Sequence, residues 1–254
     1  MSPRLEFAID AATKAGRLTL AHFQTGVPFD TKSDASPVTI ADRMAERKLR
    51  EAIEREFPGD HILGEEEGGD ATVPDRWVLD PIDGTKSFVS GVPLYATLVS
   101  YERDFVPQLG VVYLPALDEL VCAERGSGTF WNGRPARVSS NSDLGRGVVC
   151  CGGHRTMIDQ GRMPGFQRIV AKCMATRTWG DAYGHVLVAT GRVEAMIDPL
   201  VSRWDLSAVQ VVVEEAGGRF TDLSGGPSLT GELGLEAISS NGLVHRQLIE
   251  AFSA

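Results

Sequence analysis

Four cysteines among 254 residues are too few and too scattered for a disulfide scaffold. Cys122, Cys150, Cys151 and Cys173 form no CxxC pair, and no His/Cys spacing resembles a zinc site. They read as small buried apolar residues in a reducing compartment. No apolar run approaches the roughly 18 residues that span a bilayer. The first twenty residues carry Glu6 and Asp10 where a secretory signal would be continuously apolar. The expectation is a cytoplasmic protein without membrane contact. Basic residues are outnumbered, 25 Lys and Arg against 34 Asp and Glu, for a net charge of −9. The cation clusters that phosphate backbones select are missing, so no nucleic-acid partner is expected. Internal repeats and low-complexity segments are also lacking.

What is present is an ordinary globular composition, 43% apolar and 23% charged. Spacing predicts a helix over 3–24, stopped by Gly26 and Pro28. A polar loop with Lys32, Ser33, Asp34 and Ser36 follows. A second helix is predicted from the N-cap Thr39 to Phe57, with Met44, Leu49, Ile53 and Phe57 on its apolar side. Trp77–Leu79 reads as a buried strand ending at Asp80, and 94–138 as mostly strand, with a hairpin turn at Asn132-Gly133. The chain loosens at 139–146. The predicted organisation is an α+β half over 1–140 and an α/β half over 141–254, with helices near 181–190, 204–216 and 243–252.

The chemistry concentrates in carboxylates. In Trp77-Val78-Leu79-Asp80-Pro81-Ile82-Asp83-Gly84-Thr85 a buried strand delivers two acids into one stiffened turn. Acids this close repel unless a cation lies between them, and the Ile82 carbonyl is a third hard oxygen. A helix starting at Thr85 would aim the N–H groups of Gly84 and Thr85 at an anion. Upstream, Gly64-Glu65-Glu66-Glu67-Gly68 supplies Glu65. Downstream, Trp204-Asp205 opens a helix that runs to Glu214-Glu215-Ala216-Gly217-Gly218. Taken singly, each acid also has a plain reading as a helix cap or a solvated loop.

Together, the GEE turn, the DPIDGT turn and the WD helix ending in EAGG resemble the inositol monophosphatase family of metal-dependent, lithium-sensitive phosphatases, over about 30–220. The resemblance implies a layered αβαβα sandwich and a homodimer. It implies two or three Mg²⁺ ions, replaceable by Mn²⁺, on Glu65, Asp80, Ile82, Asp83 and Asp205. It implies Asp42, Thr85 and Glu65 as the catalytic set, Asp42 and Thr85 orienting the attacking water. It also implies phosphate binding at Gly84 and Thr85, and Lys32 near the mouth of the site.

Arg177-Thr178-Trp179-Gly180-Asp181-Ala182-Tyr183-Gly184-His185 is similar to the histidinol-phosphatase branch. This similarity implies substrate contacts at Arg177, Asp181 and Asp198, because carboxylates suit histidinol, with its cationic amine and imidazole donor. His185 falls inside a helix pattern and is read as structural. The expected activity is Mg²⁺-dependent hydrolysis of histidinol phosphate. Inositol phosphate, or another small monoester, is the alternative, and a catalytically silent binding protein the second.

Overall fold

The computed structural model describes residues 1–32 and 37–253. Ser33, Asp34 and Ser36 of the predicted polar loop lie outside the described residues. In chain order the first part contains α1 (Pro3–Thr19), β1 (Phe29–Thr31), β2 (Pro37–Thr39), α2 (Ile40–Glu56), β3 (His61–Gly64), β4 (Arg76–Asp83), α3 (Thr85–Val89), β5 (Ala96–Arg103), β6 (Val106–Leu114), β7 (Glu119–Glu124), β8 (Gly128–Trp131) and β9 (Arg134–Ala136). The second contains β10 (Val148–Cys151), α4 (His154–Asp159), α5 (Met163–Val170), β11 (Ala175–Arg177), α6 (Asp181–Ala189), β12 (Ala195–Val201), α7 (Arg203–Glu215), β13 (Arg219–Thr221), β14 (Leu235–Ser240) and α8 (His245–Ser253).

Two sheets carry the layers. Strands β3 to β9 lie side by side in chain order, with β3 and β4 parallel and each later neighbouring pair antiparallel. The other sheet runs β11-β10-β12-β14-β13, parallel among its first three strands and antiparallel thereafter. Strand alternation divides the first sheet between two cores. Val99, Val111, Tyr113 and Cys122 face α1 and α2. Leu98, Val112, Leu114, Val121 and Ala123 face α6 and α7 and, beyond them, the second sheet. Helices α5 and α8 cover that sheet's outer side. The result is the αβαβα stack. The Asn132-Gly133 hairpin forms as predicted, both residues at positive φ.

Three local expectations need correction. The first helix ends at Thr19, not near 24; the next residues continue as turns bonded mostly from one residue to the third before it, Leu20 N–H to Arg17 and Ala21 N–H to Leu18. Met44 is 43% exposed; α2 buries the stripe Ala41, Asp42, Ala45, Glu46, Leu49 and Ile53, with two acids inside it. The DPID segment is not a turn after the strand. It is the bulged end of β4, whose eight residues are all buried. Pro81 brings no N–H to the ladder, so pairing with β5 skips from Asp80 to Asp83.

Candidate active site

The end of β4 opens onto a cavity of about 720 Å³ bordered by Glu65, Asp80, Ile82, Asp83, Gly84, Thr85, Asp181, Asp198 and Asp205. Four pieces of chain distant in sequence supply them. Gly84 takes φ +81°, a left-handed turn that releases the strand into α3. Asp205 lies in the first turn of α7, where its carboxylate accepts the Ser202 N–H at 2.6 Å in a capping box. Its plain reading as a cap and its membership of the cluster are therefore both correct.

Carboxylate oxygens of Asp80, Asp83 and Asp205 lie within 4.8 Å of one another. Burial, then Glu65 and Asp83, hold the Asp80 carboxyl well above the usual carboxylate range. Burial, then Asp181 and Asp205, do the same to Asp83. Asp80 Oδ1 is buried without a hydrogen-bond partner, a position that costs stability unless a cation takes it. An all-oxygen set with one orphaned acceptor fits a hard divalent ion.

Supporting contacts extend outward. The Thr85 hydroxyl lies 3.0 Å from the Ile82 carbonyl and 3.4 Å from Asp42 Oδ1. Asp42 is held by the Thr39 hydroxyl at 2.6 Å and the Thr39 N–H at 2.8 Å, a second capping box that aims an acid at the site. Lys32 donates to Glu65 at 2.8 Å and Glu66 at 2.6 Å. Asp83 also accepts the Ala182 N–H of α6 at 2.7 Å, tying the two sheets' elements together at the cluster.

The model of the inositol monophosphatase family matches residues 1–254. The chain belongs to that family. Among inositol monophosphatase relatives, it is 42% identical to the histidinol-phosphatase of Chlorobaculum parvum, covering 99% of this chain and 97% of that one. It is 40% identical to the Mycobacterium tuberculosis histidinol-phosphatase, with 98% of each covered. Among solved structures, the Thermotoga maritima IMPase superposes with a TM-score of 0.91 at 32% identity, covering 99% and 97% of the two chains.

Arg177 does not border the cavity. It is exposed on edge strand β11, donates to its neighbour's carbonyl and lies 5.8 Å from the Trp179 ring. No ion pair joins it to Asp181 among the described residues. Lys86 at the start of α3 and Arg155 and Asp159 of α4 also line the cavity without having been named from sequence, and His185 of α6, read as structural, lines it too. Lys86 follows the DGT string directly, so its place was visible. The His185 partners are 13 and 54 residues away, and nothing local marks them.

Proposed function

We propose that the protein hydrolyses histidinol phosphate to histidinol and phosphate as a metal-dependent phosphomonoesterase. The observation that carries this is the pairing, in one cavity, of the Asp80–Asp83–Asp205 cluster with two further carboxylates, Asp181 and Asp198. The first group suits divalent cations. The second exceeds what the ions need and suits a leaving group that carries a cationic amine. The names of the similar histidinol-phosphatases support the same substrate.

Glu65, Asp80, Asp83, Asp205 and the Ile82 carbonyl are the proposed ligands. The oxygen donors favour two or three Mg²⁺ ions, with Mn²⁺ as a substitute. When bound, the ions offset charge on the phosphoryl oxygens and acidify water. The chain supplies the rest. Thr85, between Asp42 and the Ile82 carbonyl, orients the attacking water, and Asp42 takes its proton. N–H groups of Gly84 and Thr85 face the phosphate. Lys32 balances Glu65 and Glu66. Asp181 and Asp198 hold the alcohol end. The cysteines take no part: burial pushes the Cys150 and Cys151 thiols up to about 12.

The free thiols support a reducing, cytoplasmic setting; the homodimer is proposed on the family resemblance, and sedimentation tests it. The deciding experiment is phosphate release from histidinol phosphate and inositol 1-phosphate, with Mg²⁺, with Mn²⁺ and with chelator. Turnover of histidinol phosphate that needs the ion supports the proposal. Preference for inositol phosphate replaces the substrate, and chelator-resistant turnover rejects the mechanism.

A further inference from the structure

His185 is part of the cavity wall, 1% exposed, with both ring nitrogens engaged. Nδ1 is 2.8 Å from the Ser239 hydroxyl near the end of β14, and Nε2 is 3.0 Å from Asp198 Oδ2. The Phe220 ring packs beside the imidazole at 5.5 Å. The partners fix the proton at Nε2. An ionised carboxylate only accepts, so Nε2 carries the hydrogen and donates to Asp198. In the neutral ring Nδ1 then keeps a lone pair, which the Ser239 hydroxyl satisfies by donating.

Asp198 has no other hydrogen-bond partner among the described residues, and its side chain borders the cavity. It stands in β12 just before the register irregularity that runs to Val201. Oδ1 has no hydrogen-bond partner among the described residues and belongs to a residue that lines the cavity. On its other flank the chain closes in: a methyl on Gly152 would stand 2.7 Å from Oδ1. A carboxylate held through one oxygen at the cavity lining, with the second unpartnered, is a preset hydrogen-bond acceptor rather than a mobile one.

We infer that His185 is a positioning residue that sets substrate choice: through Ser239–His185–Asp198 it fixes the carboxylate that receives the donor groups of the substrate's alcohol end. This rests on the histidinol phosphate reading for the identity of those donors. It does not touch the metal cluster, so its effect falls on binding of the alcohol, not on cleavage. Asp198 without its partner is a buried acid free to rotate, and its hold on an ammonium or imidazole N–H weakens.

The test is a comparison of His185→Leu, His185→Gln and Ser239→Ala with the wild type on histidinol phosphate and inositol 1-phosphate at saturating Mg²⁺. A glutamine amide reaches the place of Nε2–H and keeps the donor. His185→Leu is expected to raise KM for histidinol phosphate about tenfold or more, the size of a charge-assisted hydrogen bond, with kcat within about threefold. His185→Gln restores most of the loss, and Ser239→Ala falls between. Equal losses on both substrates, a fall in kcat alone, or no change would overturn the inference. Nitrogen NMR of His185 in the wild type gives an arm independent of substrate: a proton on Nε2, with or without one on Nδ1, supports it, and a proton on Nδ1 alone sinks it. If inositol 1-phosphate proves the better substrate, the histidinol reading fails; the tautomer and the KM of that substrate still decide the role of His185.

Discussion

The Glu46 carboxylate fills the space a side chain at position 64 would need: a Cβ on Gly64 would stand 2.2 Å from Glu46 Oε1. Glu46 is fully buried in α2. It accepts the Glu66 N–H at 2.7 Å, the Glu67 N–H at 3.0 Å and the Arg50 guanidinium at 2.8 Å. The acidic turn that presents Glu65 is thus folded around another acid. Gly64→Ala should cost on the order of 1–3 kcal/mol by overpacking and weaken ion binding, because the turn shifts as a unit. Thermal unfolding and Mg²⁺ titration check both. An alanine variant with wild-type melting and ion affinity would show that the turn has slack.

Removing one acid of the cluster should separate activity from stability. Asp83→Asn keeps an acceptor for the Ala182 N–H but loses a ligand charge. Turnover should fall at least ~100-fold at saturating Mg²⁺. In chelator the variant should melt no lower than the wild type, since burial and the neighbouring Asp181 and Asp205 make the ion-free carboxylate costly. Phosphate release and melting curves in chelator are the measurements; near wild-type turnover would remove Asp83 from the ligand set.

The acids that converge at the candidate site were legible because strand, turn and capping signals are local. DPIDGT carries its own bulge and left-handed turn, and Thr39/Asp42 and Ser202/Asp205 are helix starts first. The layered fold was legible through the family pattern. What stayed hidden depends on long-range pairing. Spacing did not single out Glu46, and it marked Asp42 only through the family resemblance, while Met44 looked like core. Only the packing of α2 on the sheet and against the acidic turn buries the two acids and leaves Met44 exposed. His185 was read as a helix residue, correctly, but its hydrogen bonds to Ser239 and Asp198 exist only once β12 and β14 pair.

A second hidden network joins the two sheets' elements away from the cavity. Glu102, fully buried, receives Arg76 Nε at 3.0 Å, Arg203 Nε at 2.8 Å and the Ser207 hydroxyl at 2.9 Å. Arg203 is the first residue of α7, two before Asp205, so the network also seats the helix that carries a proposed ligand. Glu102→Ala leaves two buried guanidinium groups short of an anion and should cost about 3–5 kcal/mol. Denaturant unfolding measures it. A loss under about 1 kcal/mol would mean that Glu232, the other acid on Arg76 and Arg203, carries the compensation alone.

Stability should also fall in mild acid through a group far from the ions. His245 opens α8, 2% exposed, with Nε2 2.9 Å from the Thr221 hydroxyl and Nδ1 2.8 Å from the Ser240 hydroxyl. Burial, helped by Arg219, pulls the imidazole from 6.5 down to about 4. Above pH 6.5 both folded and unfolded chains hold it neutral, and its contribution is fully present. As pH falls below that value the unfolded chain takes up the proton and the folded chain does not, so stability is lost until about pH 4 and then levels off. The full effect is at most about 3 kcal/mol. Urea midpoints at pH 7 and pH 4.5 should therefore drop further for the wild type than for His245→Gln, which removes the titrating group and cancels this part of the slope. Carboxylates elsewhere contribute equally to both proteins and drop out of the difference. Identical slopes in the two would mean that His245 is already charged in the folded protein, with the two hydroxyls accepting from it.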